Sequence, residues 1–315
     1  MIGDKKMTNL GYQIGYKGID VEVISMEKNV AHIMWNMLKQ TWVSLHDIPY
    51  DPENPKVQEF IKNSVARRLN PVPMESAMIE VIFKNISRVN LAQLTRHRGW
   101  TFNSESQMPQ HVDHNVMIPL NIADNKEWLE RAKKLIKDSQ ELYDEMTAGN
   151  DLGPDSTGIP YQDARYLLVH SQTSAISAMF NLPSLVNASP MRLENNTHDE
   201  INYTFRILIK RLLEYVESCD EMDELTKYVY RTMLGGCDVR GARQGVGTCT
   251  DDMIGNSMKR YPDADSFVTK VTDNRLFDYK KLAWYKELIR MTEEEPELLL
   301  PNEKEMIDRW LNGED

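Results

Sequence analysis

Arg96, His97 and Arg98 stand side by side in the chain, and Ser106 follows after seven more residues. Two guanidiniums flanking an imidazole offer planar, permanently charged donor forks suited to phosphate oxygens or to an anionic ring, and a nearby hydroxyl can serve a further phosphate oxygen. A solvated or salt-bridged surface carries the same residue types, so the triplet takes its meaning from what surrounds it. Two other clusters compete with it. His111-Val112-Asp113-His114 sets two imidazoles three residues apart, without the further ligands that a metal site needs, so no metal is expected. Gly235 to Gly247 carries Arg240 and Arg243 among glycines and could wrap a phosphate. It lacks the G-x-x-x-x-G-K-S/T order of a P-loop and reads as a flexible loop.

The bulk of the chain narrows the choice. At 315 residues and 41% hydrophobic content it can bury one large core, or one core and a small appended subdomain. The formal net charge of −11 leaves no global field to hold an extended polyanion by counterion release, so nucleic acid is not an expected partner. Against that acidic background a local cluster of cations points to a small anion or a neighbouring carboxylate. Cys219, Cys237 and Cys249 are odd in number and form no CxxC pair, which argues against a disulfide framework or a structural zinc and fits a reducing cytoplasm. No stretch approaches the ~20 apolar residues that span a bilayer, so a soluble protein without a membrane partner is expected. The 18 methionines read as adaptable core packing.

The elements that must position the triplet are legible around it. Val21, Val23 and Ile24 suggest a short strand, and Val30 to Trp42 a helix. Asp51 to Pro55 interrupts the chain before a second helix to about Leu69. Met78 to Ile86 is rich in branched and aromatic residues and predicts a strand, although its alternation is imperfect. Ser87 is placed to cap a helix from Arg88 to Thr95, which delivers Gln93 and the triplet near its end, where cations suit the macrodipole. Asn125 to Thr147 is amphipathic, with Trp128, Ala132, Leu135, Ile136, Leu142 and Tyr143 at helical spacing, and that stripe is expected in the core. Further helices are expected from about Tyr161 and over His198 to Cys219.

With Ser87-Arg88 and Gln93 preceding the triplet and Ser106 following it, this region resembles the signature of the flavin-dependent thymidylate synthases. The similarity continues without a gap through Ala164-Arg165, Leu168, Asn181, Ser184-Leu185, Asn187, Arg192 and Glu200-Ile201, and covers roughly Asn70 to Ile201. The resemblance implies an α+β fold with a central, mostly antiparallel sheet and packed helices. It divides the chain into a family-like domain over residues 1–221 and a helical C-terminal extension over 222–315, packed on the same core. It also implies a homotetramer, FAD bound where subunits meet, and reductive transfer of a one-carbon unit from methylenetetrahydrofolate to C5 of dUMP, with NADPH as reductant. By similarity Arg96, His97, Arg98, Asn103, Asn181 and Asn187 contact the flavin, and Gln93, Ser106 and Arg165 bind the pyrimidine deoxynucleoside monophosphate. Arg192 matches the catalytic arginine that lies against the pyrimidine, where a fixed cation favours enolate character at the carbonyl. No cysteine nucleophile is used, in keeping with three cysteines that lie outside every matched motif.

The nucleotide side departs from the pattern. Gln107-Met108-Pro109 stands where the family has a small residue and then Arg-Tyr, Ser104 replaces a Glu, and Asn70 and Glu75-Ser76 stand where histidine-containing elements belong. A guanidinium expected at the nucleotide is therefore missing at Met108. Three readings follow: a thymidylate synthase with compensating contacts from His111, His114 or Arg243, a variant that acts on dCMP or leaves a hydroxymethyl group, and a non-catalytic nucleotide or flavin binder. Retention of Arg192 argues against the third.

Overall fold

The computed structural model describes residues 10–67, 72–108, 115–150, 156–193, 197–235 and 285–299, together with Lys304 and Ile307. The chain forms two compact units. The first comprises residues 1–20, 83–96 and 102–177, and the second residues 21–82, 97–101 and 178–315. His111, His114, Arg240, Arg243 and Asn70 lie outside the described residues.

Four strands, β2 (Asp20–Met26), β3 (Met78–Ser87), β4 (Thr101–Ser104) and β6 (Thr173–Asn181), form a sheet in the order β2-β3-β6-β4. The hydrogen bonds at the strand ends give its sense. Leu182 N–H donates to Ala77 O at one end of the β3/β6 pair and Arg88 N–H to Gln172 O at the other, so one strand counts up as the other counts down. Glu105 N–H donates to Ala175 O and Ser177 Oγ to Asn103 O, which sets β4 antiparallel to β6. The expected α+β class with an antiparallel sheet is thus what the chain adopts. Strand β6, with Thr173, Ser174 and Ser177 among its residues, is not announced by its own sequence.

The imperfect alternation of β3 has a local cause. Ile79, Val81 and Phe83 are buried on one parity, and Ile86 is buried on the other. Between them Asn85 takes φ of 57°, a left-handed conformation that asparagine tolerates better than most side chains, and its Nδ2 donates to Gly18 O at 2.9 Å. That residue marks the change of phase, with Ile79, Val81 and Phe83 buried before it and Ile86 and Ser87 buried after it.

In the first unit a two-stranded parallel pair, β1 (Tyr12–Ile14) with β5 (Val116–Ile118), aligns Tyr12 with Val116. After the short helix α4 (Leu120–Ala123), helix α5 (Lys126–Thr147) lies over it, capped by the Asn125 side chain, which accepts from Trp128 N–H, and the short helix α6 (Tyr161–Ala164) follows. Ile136 joins Val116 and Ile118 in one cluster, and Tyr143 joins Ala164 in another. The expectation that the whole apolar stripe of α5 is core is corrected here: Trp128, Leu135 and Leu142 are 56%, 67% and 46% exposed. The buried face runs one residue further on, through Ile136 and Tyr143, because at 100° per residue the two rows lie on adjacent faces.

In the second unit α1 (Val30–Leu38) buries Val30, Met34, Trp35 and Leu38, and stops short of Trp42 in two single 3₁₀ turns. Helix α2 (Pro55–Arg67), α7 (Leu182–Arg192), α8 (Asp199–Ser218) and α9 (Glu224–Gly235) complete its described core. Helix α8 is buried over most of its first three turns, from Glu200 to Ile209. The later segment, α10 (Tyr285–Glu294) and the turn Pro296–Leu298, packs on α8: Arg206 Nη1 donates to Leu298 O at 3.0 Å and Tyr203 OH to Glu295 at 2.8 Å. Among the described residues no helix is long and apolar enough to cross a membrane.

Candidate active site

The triplet follows α3 (Arg88–Leu94), whose N-terminus is closed as expected by Ser87 accepting from Asn90 N–H at 3.1 Å. After Arg98 the chain turns through Gly99 at φ of 82°, where nothing lies within 4 Å of a would-be Cβ, so the requirement for glycine there is conformational rather than steric. The turn brings Trp100 inward, 8% exposed, while Arg98 stays exposed.

His97 and Arg192 meet in the second unit although 95 residues separate them. Arg192 sits in the last turn of α7, where the macrodipole favours a cation, and its Nε–H donates to His97 Nε2 at 3.1 Å. Because an arginine Nε can only donate, His97 Nε2 carries no proton and the neutral ring must hold its proton on Nδ1. Burial first, and the Arg192 charge second, push the His97 pKa down from 6.5 to about 4. The imidazole is therefore a neutral, oriented donor at neutral pH. Its ring packs against Trp100 and Phe205 at centroid distances of 5.1 and 5.6 Å, and Trp100 stacks on Phe180 at 3.9 Å. This aromatic floor was missed in the sequence. Its signal was aromatic residues beside matched polar ones, Trp100 two beyond Arg98 and Phe180 one before Asn181.

The other second-unit residues sit on α7. Asn181 is its N-cap, accepting from Ser184 N–H at 3.0 Å, and Asn187 is exposed on its outer face. In the first unit Gln93 and Arg165 are half-buried, and Arg96, Asn103 and Ser106 are exposed. Ser106 Oγ accepts from Met108 N–H at 3.2 Å, and Arg165 Nε–H donates to Gln162 O at 3.2 Å. Arg88 reaches Glu105 O with both terminal nitrogens at 3.3 Å. Burial lowers the Arg88 pKa, Glu105 opposes that, and Arg165 lowers it further, so Arg88 and Arg165 are within electrostatic reach of each other. Two cations so placed would both be relieved by an anion. Met108 presents an apolar, 53% exposed side chain.

A family profile described as thymidylate synthase complementing protein matches residues 22–216 of the 315. The chain belongs to the flavin-dependent thymidylate synthase family. The flavin-dependent thymidylate synthase of Thermococcus onnurineus is 24% identical over 174 residues, covering 53% of this chain and 68% of the relative. That of Thermococcus kodakarensis is 25% identical over 217 residues, covering 67% and 84%. Among solved structures, the UMP/dUMP methylase PolB from Streptomyces cacaoi bound with 5-Br dUMP is similar at a TM-score of 0.52 and 16% identity, over 70% of this chain and 97% of that one. At that identity the likeness speaks for the fold of this family member.

Proposed function

We propose that the protein transfers a one-carbon unit from methylenetetrahydrofolate to C5 of a pyrimidine deoxynucleoside monophosphate, dUMP to dTMP being the favoured reaction, with FAD as cofactor and NADPH as reductant. The observation that carries this reading is the Arg192–His97 hydrogen bond, which ties the arginine of the downstream motif to the centre of the triplet. One edge of the guanidinium is held by the ring, so its plane is fixed before a substrate arrives. A cation fixed in this way lies ready to stabilise negative charge on a uracil carbonyl, and needs little reorganisation to do so.

The residues fit a flavin. His97 offers a neutral Nδ1–H donor, Arg98 and Arg96 offer exposed planar donors for phosphate or for an anionic ring, and Asn187 is accessible. When bound, the flavin supplies the reducing equivalents of the reaction. In the first unit Arg165, with Arg88 in its field, and the exposed Ser106 suit the nucleotide phosphate, with Gln93 as a further polar contact. Asn103 and Asn181 are held by the backbone contacts they make, Asn103 through its carbonyl and Asn181 as a cap, and serve as supporting groups. A homotetramer in which subunits complete one another's sites accords with Arg96 and Arg98 being left exposed.

The exposed Met108 supports a second reading, in which the enzyme takes a related nucleotide such as dCMP or leaves a hydroxymethyl group. Reconstitution tests the proposal: the purified protein should bind FAD, turn yellow and bleach on addition of NADPH. A protein that stays colourless at saturating FAD refutes it.

A further inference from the structure

Three glutamines and an aspartate form one hydrogen-bonded chain in the first unit. Gln107 Nε2 donates to Gln172 Oε1 at 3.2 Å, Gln172 Nε2 to Gln140 Oε1 at 3.1 Å, and Gln140 Nε2 to Asp144 Oδ1 at 2.9 Å. The chain joins three separate stretches: the segment after Ser106, the residue that leads into β6, and one face of α5, where positions 140 and 144 lie a turn apart. Gln140 and Gln172 are 5% and 1% exposed. Apolar residues would fill those two positions without desolvating an amide, so what the amides add is direction.

That direction is fixed from the Asp144 end. A carboxylate oxygen only accepts, so Gln140 turns its NH2 group to it and its Oε1 to Gln172, and the same choice repeats outward. Gln107 is left half-buried at the outer end, its NH2 group turned inward and its Oε1 without a partner among the described residues. Arg88 holds the same segment at Glu105 O, and the Arg88 N–H donates to Gln172 O at 3.1 Å. Ser106, assigned above to the nucleotide, lies between these two anchors.

The geometry points to Gln107 as a selecting residue that offers its carbonyl oxygen to a hydrogen-bond donor of the nucleoside, a sugar hydroxyl or a base N–H, with Gln172, Gln140 and Asp144 as the positioning residues that hold it in that sense. A phosphate oxygen, itself an acceptor, does not match that oxygen. The inference rests on the proposed function only for the presence of a nucleotide beside Ser106.

Reversing the chain tests it in the full-length protein. Gln107→Glu puts acceptor-only groups at both ends, so at one link two oxygens must face each other. Adding Asp144→Asn supplies a donor at the inner end, lets Gln172 and Gln140 turn over, and leaves an open oxygen at position 107 as before. Gln107→Glu should lower the urea midpoint and weaken dUMP binding, measured by calorimetry on the FAD-loaded protein, by about tenfold. The double variant should recover the midpoint and about threefold in affinity, although the charge at position 107 is the same in both. A double variant with a midpoint no higher than that of Gln107→Glu overturns the relay, and a recovered midpoint without recovered affinity overturns its positioning role.

Gln107→Ala identifies the donor. Wild type should bind dUMP about tenfold more tightly than 2′,3′-dideoxy-UMP if the donor is the sugar hydroxyl, or than N3-methyl-dUMP if it is the base, and Gln107→Ala should abolish that one preference. Both preferences unchanged in Gln107→Ala overturn the selecting role. A wild type that binds no dUMP overturns the function proposed above, while the urea midpoints still decide the relay.

Discussion

Replacing Arg192 with alanine is expected to move the titration of a residue 95 positions away. The Arg192 guanidinium and burial together hold His97 at about 4 instead of 6.5, which corresponds to about 3 kcal/mol between its two protonation states at ~1.4 kcal/mol per pH unit. The ring is only partly buried, so solvent screening reduces the stability at stake to roughly 1–2 kcal/mol. Burial is the larger cause and remains in Arg192→Ala, so the variant's His97 should titrate higher than in wild type and still below 6.5. The sign for folding follows. A depressed histidine is fully compatible with the native state above 6.5, and its contribution is lost as the pH falls from 6.5 through 4. Acid destabilisation in that window should therefore be shallower in the variant than in wild type. Nitrogen-15 spectra of the imidazoles, with His97→Gln assigning one of the seven histidines, report both the titration and the tautomer. Wild type should show the proton on Nδ1 and a bare Nε2. A wild-type His97 that titrates at 6.5 or above, or carries its proton on Nε2, contradicts the hydrogen bond on which the site is built. The same variant should retain flavin and lose turnover.

Three further outcomes are expected. Asp199 is raised from 3.8 to about 6 by burial and then by the nearby Glu287, so its ionisation weakens the native state as the pH rises through that interval. Asp199→Asn should accordingly stabilise the protein by about 1 kcal/mol at pH 8, after discounting for partial exposure, and by almost nothing at pH 4, as read by urea unfolding. Asn181→Ala removes the cap of α7 and should cost about 1 kcal/mol of stability, with a loss of turnover larger than that because Arg192 ends the same helix. Met108→Arg restores the guanidinium the family pattern carries. It should lower the KM for the nucleotide severalfold while leaving flavin affinity unchanged, and an unchanged KM would show that the cation is already supplied from another part of the site.

Much of this was legible from spacing alone. The Ser87 cap, helix α3 behind the triplet, the strand expected over Met78 to Ile86 and the amphipathic α5 all follow from local chemistry, and each formed within a residue of where the pattern placed it. What escaped depends on contacts between distant residues. Strand β6, with small and polar residues such as Thr173, Ser174 and Ser177, is a strand because β3 and β4 pair with it on either side, not because its own residues demand it. The placing of Trp128, Leu135 and Leu142 outside the core could not be read from periodicity, since two adjacent apolar rows look like one wide stripe. The triplet's chemistry was ambiguous for the same reason. His97 alone is a histidine between two arginines, and only its partnership with Arg192 and its seat on Trp100 and Phe205 fix its protonation and direction.

The central claim, one-carbon transfer to a pyrimidine nucleotide through a site organised by Arg192, is tested most directly by mass spectrometry of the nucleotide. The protein is incubated with FAD, NADPH, methylenetetrahydrofolate and either dUMP or dCMP. A methyl group gained by dUMP with wild type and not with Arg192→Ala is the expected result, and a hydroxymethyl group or a modified dCMP would select the second reading. Both nucleotides recovered unchanged from a flavin-loaded wild-type protein would contradict the account.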